Sequence, residues 1–314
     1  MRIAIPPFKE EVTANTSHMD KSRVIRQASP TIRAAIWMIG AIVSFTIMAI
    51  AGRTVSVELD TFEIMLFRSL TGIAIVLIVG KYAGTLRQVS LNRWPLQIVR
   101  NVAHFTGQNL WFYAITVLPL AQVFALEFTT PIWVILLSPL LLSERITAVG
   151  LFTAALGFVG VLIVTRPDMS AINPGLIAAA MAAVAFALTA IFTRSLTKTE
   201  SITTIMIYLT CFQAVFGLIC AGYDGDIAIP SADIAPFVVL IGFAGLIAHF
   251  CLTTALSIAP ASIVMPIDFV RLPVIAVVGM AVYGEPLDFL VFVGAGLIFL
   301  ANYINIITAN RTAR

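Results

Sequence analysis

Apolar residues run along this chain in blocks of about twenty, separated by short turns that carry proline, glycine or charge. A helix of that length crosses the roughly 30 Å hydrocarbon core of a bilayer. Ten such blocks predict spans at 32–51, 61–80, 96–117, 120–142, 147–165, 173–193, 202–221, 235–256, 261–283 and 287–307. Links as short as Leu118-Pro119-Leu120, Glu144-Arg145-Ile146 and Ala259-Pro260 make neighbouring spans antiparallel. The expected fold class is an all-α integral membrane protein of ten transmembrane helices.

Composition agrees with the pattern. The 314 residues are 60% hydrophobic and 11% charged, where soluble chains carry about 25% charge. That excludes a cytosolic enzyme, a disordered regulator and a nucleic-acid binder. Cys211, Cys220 and Cys251 lie in apolar stretches without metal or disulfide spacing and read as small buried hydrophobes. Residues 1–31 form a polar tail without the apolar core of a signal peptide, and Met19 offers an alternative start. Counting Lys and Arg sets the orientation. The loops on the N-terminal side hold most of the cations, and those on the other side only Arg53 and Arg166. Both termini, including the short tail at 308–314, are therefore expected to be cytoplasmic.

A shift of 141 residues aligns 34–164 with 175–305 without a gap, and 25 of the 131 pairs are identical. They include Phe45/Phe186, Arg53/Arg194, Pro95/Pro236, Pro119/Pro260, Phe128/Phe269 and Glu144/Glu285. Shared composition explains matched alanines but not two prolines, an arginine and a glutamate in register. Two repeats, 32–165 and 173–307, are expected. Five spans is an odd number, so the second repeat enters the membrane inverted. Inverted repeats are a common transporter architecture, with the substrate site near the midplane where the halves meet.

Ionisable side chains in hydrocarbon cost at least about 2.5–3.5 kcal/mol each and usually face the bundle interior. Here they are Glu63, Arg68, Arg100, His104, Glu127, His249, Asp268 and Arg271. Glu127 and Asp268 are equivalent under the repeat, each about 10 Å into its span, and form a candidate substrate or proton site. Pro131 and Pro273 leave the carbonyls of Glu127 and Phe269 without their helical donors, as in the broken helices of transporters. Arg271 is a salt-bridge candidate for Asp268, and Arg68 or Arg100 for Glu127. Arg100, His104, Gln108 and Trp111 fall on one face of the third span and are expected to line a cavity, with Gln108 matching His249 in the other repeat. Both histidines read as structural, hydrogen-bonded side chains or as groups that titrate near neutrality. Trp111, Phe112, Tyr113, Phe128, Trp133 and Phe269 are candidates for a wall that stacks a planar ligand. Glu144 and Glu285 read as solvated carboxylates at the N-terminus of the next helix. The small-residue runs Gly175–Ala190 and Gly294–Gly296 predict close helix packing.

Phe62-Glu63-Ile64-Met65-Leu66-Phe67-Arg68, Leu118-Pro119-Leu120-Ala121, Phe128-Thr129-Thr130-Pro131, Ser143-Glu144 and Gly284-Glu285 together resemble the drug/metabolite transporter superfamily, in its ten-span EamA-type branch. The resemblance covers about 32–305. It implies a secondary carrier, without ATP or cofactor, in a bacterial inner membrane. Members resembling this chain export amino acids and drugs, or import compounds such as riboflavin and S-adenosylmethionine. The commoner first-repeat pattern has a small or polar residue where Glu127 stands, which makes that carboxylate a candidate specificity feature. The expected function is alternating-access transport of a small organic metabolite, with vitamin uptake such as riboflavin first and metabolite, drug or amino-acid export as the alternative. The expected partners are that substrate, the lipid bilayer and a coupling proton, with a homodimer left open. The expected cavity is lined by spans three, four, eight and nine. An intramembrane enzyme is disfavoured because His104 and His249 look isolated in the sequence, and a channel because it needs no inverted halves.

Overall fold

The computed structural model describes residues 29–142, 147–166, 173–223, 225–286 and 288–312. The polar tail up to residue 28, the Ser143–Glu144–Arg145 turn and the side chains of Pro266 and Phe269 lie outside the described residues. The described chain is helical, with no strand among the described residues: α1 (Pro30–Val55), α2 (Thr61–Tyr82), α3 (Trp94–Val117), α4 (Leu120–Glu127), α5 (Thr130–Leu142), α6 (Ala148–Thr165), α7 (Pro174–Leu196), α8 (Ile202–Ala221), α9 (Ala235–Ile258), α10 (Ala261–Ile267), α11 (Arg271–Tyr283) and α12 (Phe289–Thr312). Seven stretches are long and apolar enough to cross a membrane: α1, α2, Leu120–Leu141 taken through its break, α6, α7, α8 and α9. The third predicted span, α3, falls outside that set; Gln97, Arg100, Asn101, His104 and Gln108 are buried along it. This is a multi-pass membrane protein.

Local chemistry fixes where the helices begin. Asp60 caps α2 by accepting the Glu63 N–H at 2.8 Å, while the Glu63 carboxylate accepts the Asp60 N–H at 2.9 Å. This reciprocal box satisfies two donors that a helix start otherwise leaves open. Ser201 caps α8 through Thr204, and Asn173 caps α7 through Gly175. Two predicted spans are interrupted. The segment 120–142 divides into α4 and α5 between Glu127 and Thr130, and 261–283 passes through a 3₁₀ turn, Asp268–Val270, between α10 and α11. Pro131 is the second residue of α5 and Pro273 the third of α11. A missing N–H this close to a helix start removes no bond the new helix would have made, so each proline suits a restart.

The helices pack chiefly as α1 with α9, α3 with α7, α2 with α8 and α6 with α12. Each pair is antiparallel. On α3 and α7, for instance, Arg100 bonds Thr193, Gly107 faces Phe186 and Gly175 meets Val117. Buried alanines at 178, 179, 182, 183, 185, 187 and 190 give α7 its close approach. In the second small-residue run only one glycine is in such contact. A Cβ on Gly294 would lie 2.5 Å from the Gly160 carbonyl oxygen, whereas Gly296 has nothing within 4 Å. Cys251 is buried as expected, but Cys211 is exposed on the outward face of α8.

The Gly160–Gly294 contact is backbone against backbone, so neither side can yield by rotating a side chain. A Cβ on Gly160 would sit 2.7 Å from the Gly294 carbonyl oxygen. Gly160→Val is therefore expected to destabilise the bundle by about 1–3 kcal/mol, read as a lower melting temperature in detergent. Gly296→Val is expected to leave it unchanged, and equal shifts for both would refute the assignment.

Candidate functional site

Both helix breaks open onto one cavity. Its inner end is formed where α4 stops at Glu127 and α10 gives way to the turn at Asp268. Arg271, only 1% exposed, binds both carboxylates: its Nη2 donates to Glu127 Oε1 and to Asp268 Oδ2. The Trp111 indole N–H donates to Glu127 Oε2 at 2.7 Å. The guanidinium carbon lies 4.7 Å from the Phe124 ring centre and 5.0 Å from that of Phe45, where cation–π attraction adds to the ion pairs. Among the described residues, Asp268 Oδ1 and Arg271 Nε have no hydrogen-bond partner.

Neither Arg68 nor Arg100 neutralises Glu127. Arg68 donates from Nη1 to Gln108 Oε1 at 2.5 Å and stands against Gly245. Arg100 donates from Nε to Thr193 Oγ1 at 2.7 Å and from Nη1 to Asn101 Oδ1 at 3.2 Å. Among the described residues, neither arginine has a carboxylate within 4 Å. The carbonyl of Glu127 is not free either. The Thr130 hydroxyl donates to it at 2.5 Å, replacing the N–H that Pro131 lacks.

The histidines, isolated in the sequence, stand together in the structure. Their rings meet edge to face at 4.5 Å between centres, across α3 and α9. Among the described residues, both ring nitrogens of His104 and Nε2 of His249 have no hydrogen-bond partner. Gln108, the repeat equivalent of His249, is bound instead to Arg68.

Of the sequence-predicted residues, Arg100, His104, Gln108, Trp111, Glu127, Pro131, His249, Asp268 and Arg271 line the cavity. Arg68 stands behind Gln108, and Pro273 is not among the lining residues. The aromatic wall is composed differently from the expectation. Trp111 and Phe128 line it, but Phe112 is buried in the packing, and Tyr113 and Trp133 point outward at 41% and 36% exposure. The side chain of Phe269 is outside the described residues. Phe45 of α1 and Phe186 of α7 take part instead, so spans one and six also line the cavity. These two are an identical pair at the 141 offset, a signal that could have marked them. Thr189, Thr193 and Thr253 are further lining residues that hydropathy alone passed over.

One end of the bundle is tied by an ion pair. Beyond Trp111, Arg53 in the last turn of α1 donates to the carbonyls of Ile115 at 2.7 Å and Leu118 at 2.5 Å, and pairs with Glu285 at 2.5 Å. Glu285 accepts the Leu120 N–H at 3.0 Å. It is thus 15% exposed and caps α4, not the following helix as its position in sequence suggested. The Tyr283 hydroxyl donates to the Ile50 carbonyl at 3.0 Å beneath the guanidinium. Nearby, the Leu290 N–H and then Arg166 hold the Asp288 carboxyl below its usual range. At the opposite end, Arg194 donates to the Leu256 carbonyl at 2.6 Å. Glu144, the repeat partner of Glu285, lies outside the described residues. The lining residues Arg100, Thr193 and Leu256 carry the cavity toward this second end.

The arrangement has no cluster of three or more metal-ligating side chains among the described residues. What it offers is a ring-lined cavity with a few buried polar groups, the mixture of apolar wall and sparse polar contacts that small-molecule sites use.

The EamA-like transporter family matches this chain twice, over residues 32–166 and 173–307. A riboflavin transporter of Brucella anthropi is 30% identical over 69% of this chain and 78% of its own length. A riboflavin transporter of Rhizobium johnstonii is 25% identical over 90% of this chain and 94% of its own. An S-adenosylmethionine uptake transporter of Rickettsia prowazekii is 24% identical over 79% of this chain and 84% of its own. A crystal structure 16% identical in sequence shares the fold at a TM-score of 0.72, over 90% of this chain and 99% of that one.

Proposed function

The chain belongs to the EamA-like transporter family and is a small-metabolite membrane transporter; from that premise we propose that it takes up riboflavin by alternating access. The observation that carries the reading is the cavity at the two helix breaks, lined by Trp111, Phe45, Phe128 and Phe186. A flat ring system suits such walls, since aromatic faces stack well on planar ligands. The riboflavin transporter at 30% identity supports the same substrate.

The carrier is read as ten spans in two inverted repeats, 32–165 and 173–307, with α4/α5 and α10/α11 each counting as one broken span. The helix pairing supports this. The 141-residue shift turns α1 against α9 into α7 against α3, and maps α2/α8 and α6/α12 onto themselves. The caps Asp60 and Ser201 correspond, as do Gly84 and Gly225 at φ +67° and +84°. The cation count supports cytoplasmic termini, which would put the Glu285 end outside and turn the cavity toward the cytoplasm. Glu127, Asp268 and Arg271 form the polar centre of the substrate site, with Asp268 as the group that takes a coupling proton.

Riboflavin counterflow in proteoliposomes tests the reading. Saturable exchange of labelled for unlabelled vitamin is expected, with strong losses in Trp111→Ala and Phe186→Ala. Absence of counterflow would refute the substrate. Unchanged transport and pH dependence in both Glu127→Gln and Asp268→Asn would refute the polar centre.

A further inference from the structure

We propose that Arg100, Thr193 and the His104–His249 pair form a subsite for the acceptor-rich end of the substrate, a carboxylate or ring carbonyls, and that it discriminates against cations. The proposal rests on the transporter reading above and deepens it.

Two buried guanidiniums lack a counter-carboxylate, and they lie on the same side of the cavity. Arg100 is 1% exposed and lines it; Arg68 is 5% exposed and reaches it through Gln108. The two carboxylates that line the cavity are already tied to Arg271. The region between Glu127 and the Arg194 end is therefore rich in positive charge and N–H donors. Nε and Nη1 of Arg100 are bonded, but Nη2 has no partner among the described residues. One turn along α3, His104 is fully buried with both ring nitrogens unpartnered, and His249, 5% exposed, leaves Nε2 unpartnered. Buried polar groups without partners are costly, and a neutral imidazole always has one N–H to donate. Two such imidazoles beside Arg100 on one cavity are explained by a ligand whose oxygens accept from them. Thr193 holds the Arg100 fork in place.

The same charge balance works against a cation. In this subsite a sulfonium or ammonium group would meet Arg100 and Arg68 and not the Glu127 and Asp268 carboxylates, which share Arg271, so S-adenosylmethionine, carried by the rickettsial relatives, is a poor fit at this end of the cavity. A pyrimidinedione ring, or an organic acid on a planar scaffold, is a good one.

Purified full-length protein in detergent, melted with indolepropionate, indolepropanol or indolepropylamine, compares one planar ring bearing an anion, a neutral group and a cation. The acid is expected to bind about tenfold or more tighter than the amine, the size of one charge-assisted hydrogen bond away from water, with the alcohol between them. Arg100→Gln is expected to collapse that gap and Arg100→Lys to keep it. His104→Leu is expected to weaken acid and alcohol alike; it serves as the second test should Arg100→Gln fail to fold. A flat or reversed order, a gap that survives Arg100→Gln or affinities unmoved by His104→Leu would overturn the subsite. So would no stabilisation by any of the three. Riboflavin counterflow with a flat charge order leaves the transport reading standing and refutes only the subsite. The predicted order without counterflow does the reverse.

Discussion

Replacing Arg271 by methionine is expected to abolish transport and to destabilise the protein by about 3–5 kcal/mol, the cost of leaving buried charges without their partner. Arg271 is the common partner of Glu127 and Asp268 and is itself 1% exposed. Without it two carboxylates remain in a low-dielectric cavity where, among the described residues, the Trp111 N–H is the side-chain donor left to Glu127. Arg271→Lys is expected to keep part of the stability but little transport, because a point charge on a flexible stem replaces the planar guanidinium between the two acids and over the rings. The decisive variant combines Arg271→Met with Glu127→Gln and Asp268→Asn. It removes charge from all three side chains, so stability is expected to recover while transport stays lost. If Arg271→Met melts like the parent protein, the ion-pair network does not organise the site. If the triple variant transports, the network is scaffolding only.

Glu285→Gln is the second large effect. The latch at its end of the bundle ties α1 to the start of α4 and to the end of α11 through Arg53 and Glu285. Removing the negative charge weakens a charge-assisted pair by about 1.5–3 kcal/mol. On a two-state equilibrium that changes the population ratio by about ten- to a hundredfold. The expected consequence is a site that opens at the Glu285 end and a fall in uptake. A single cysteine at Thr130, in a chain whose three native cysteines are replaced by alanine, reports this in spheroplasts. Labelling by an impermeant maleimide is expected to rise several-fold in Glu285→Gln and in Arg53→Gln. Labelling unchanged in both would show that the pair does not hold that end closed.

The two effects differ in how visible they were in the chain. Glu127, Asp268 and Arg271 stood out because charge within hydrocarbon is expensive and a 141-residue shift puts the two acids in register. Their partners did not. Sequence spacing pairs Asp268 with Arg271, one turn away, but nothing in spacing tells Glu127 to choose Arg271 over Arg68 or Arg100. Likewise His104 and His249 are 145 positions apart, in segments whose contact depends on α1, α3, α7 and α9 converging. Glu285 looked like a cap for the helix that follows it, because the Leu120 N–H and Arg53 are remote in sequence. Phe45 and Phe186 were legible as a repeated pair, but not as cavity walls.

The sequence alone determined what one-dimensional physics can set. Runs of apolar side chains about as long as a bilayer is thick must become helices, because no water is there to satisfy the backbone. Prolines after Glu127 and Asp268 made breaks in those helices the expectation. What only the tertiary structure decided is which buried charges meet. Ion pairs, edge-to-face rings and caps made across repeats depend on distances of a few ångströms between segments more than a hundred residues apart, and those distances exist only once the helices are packed.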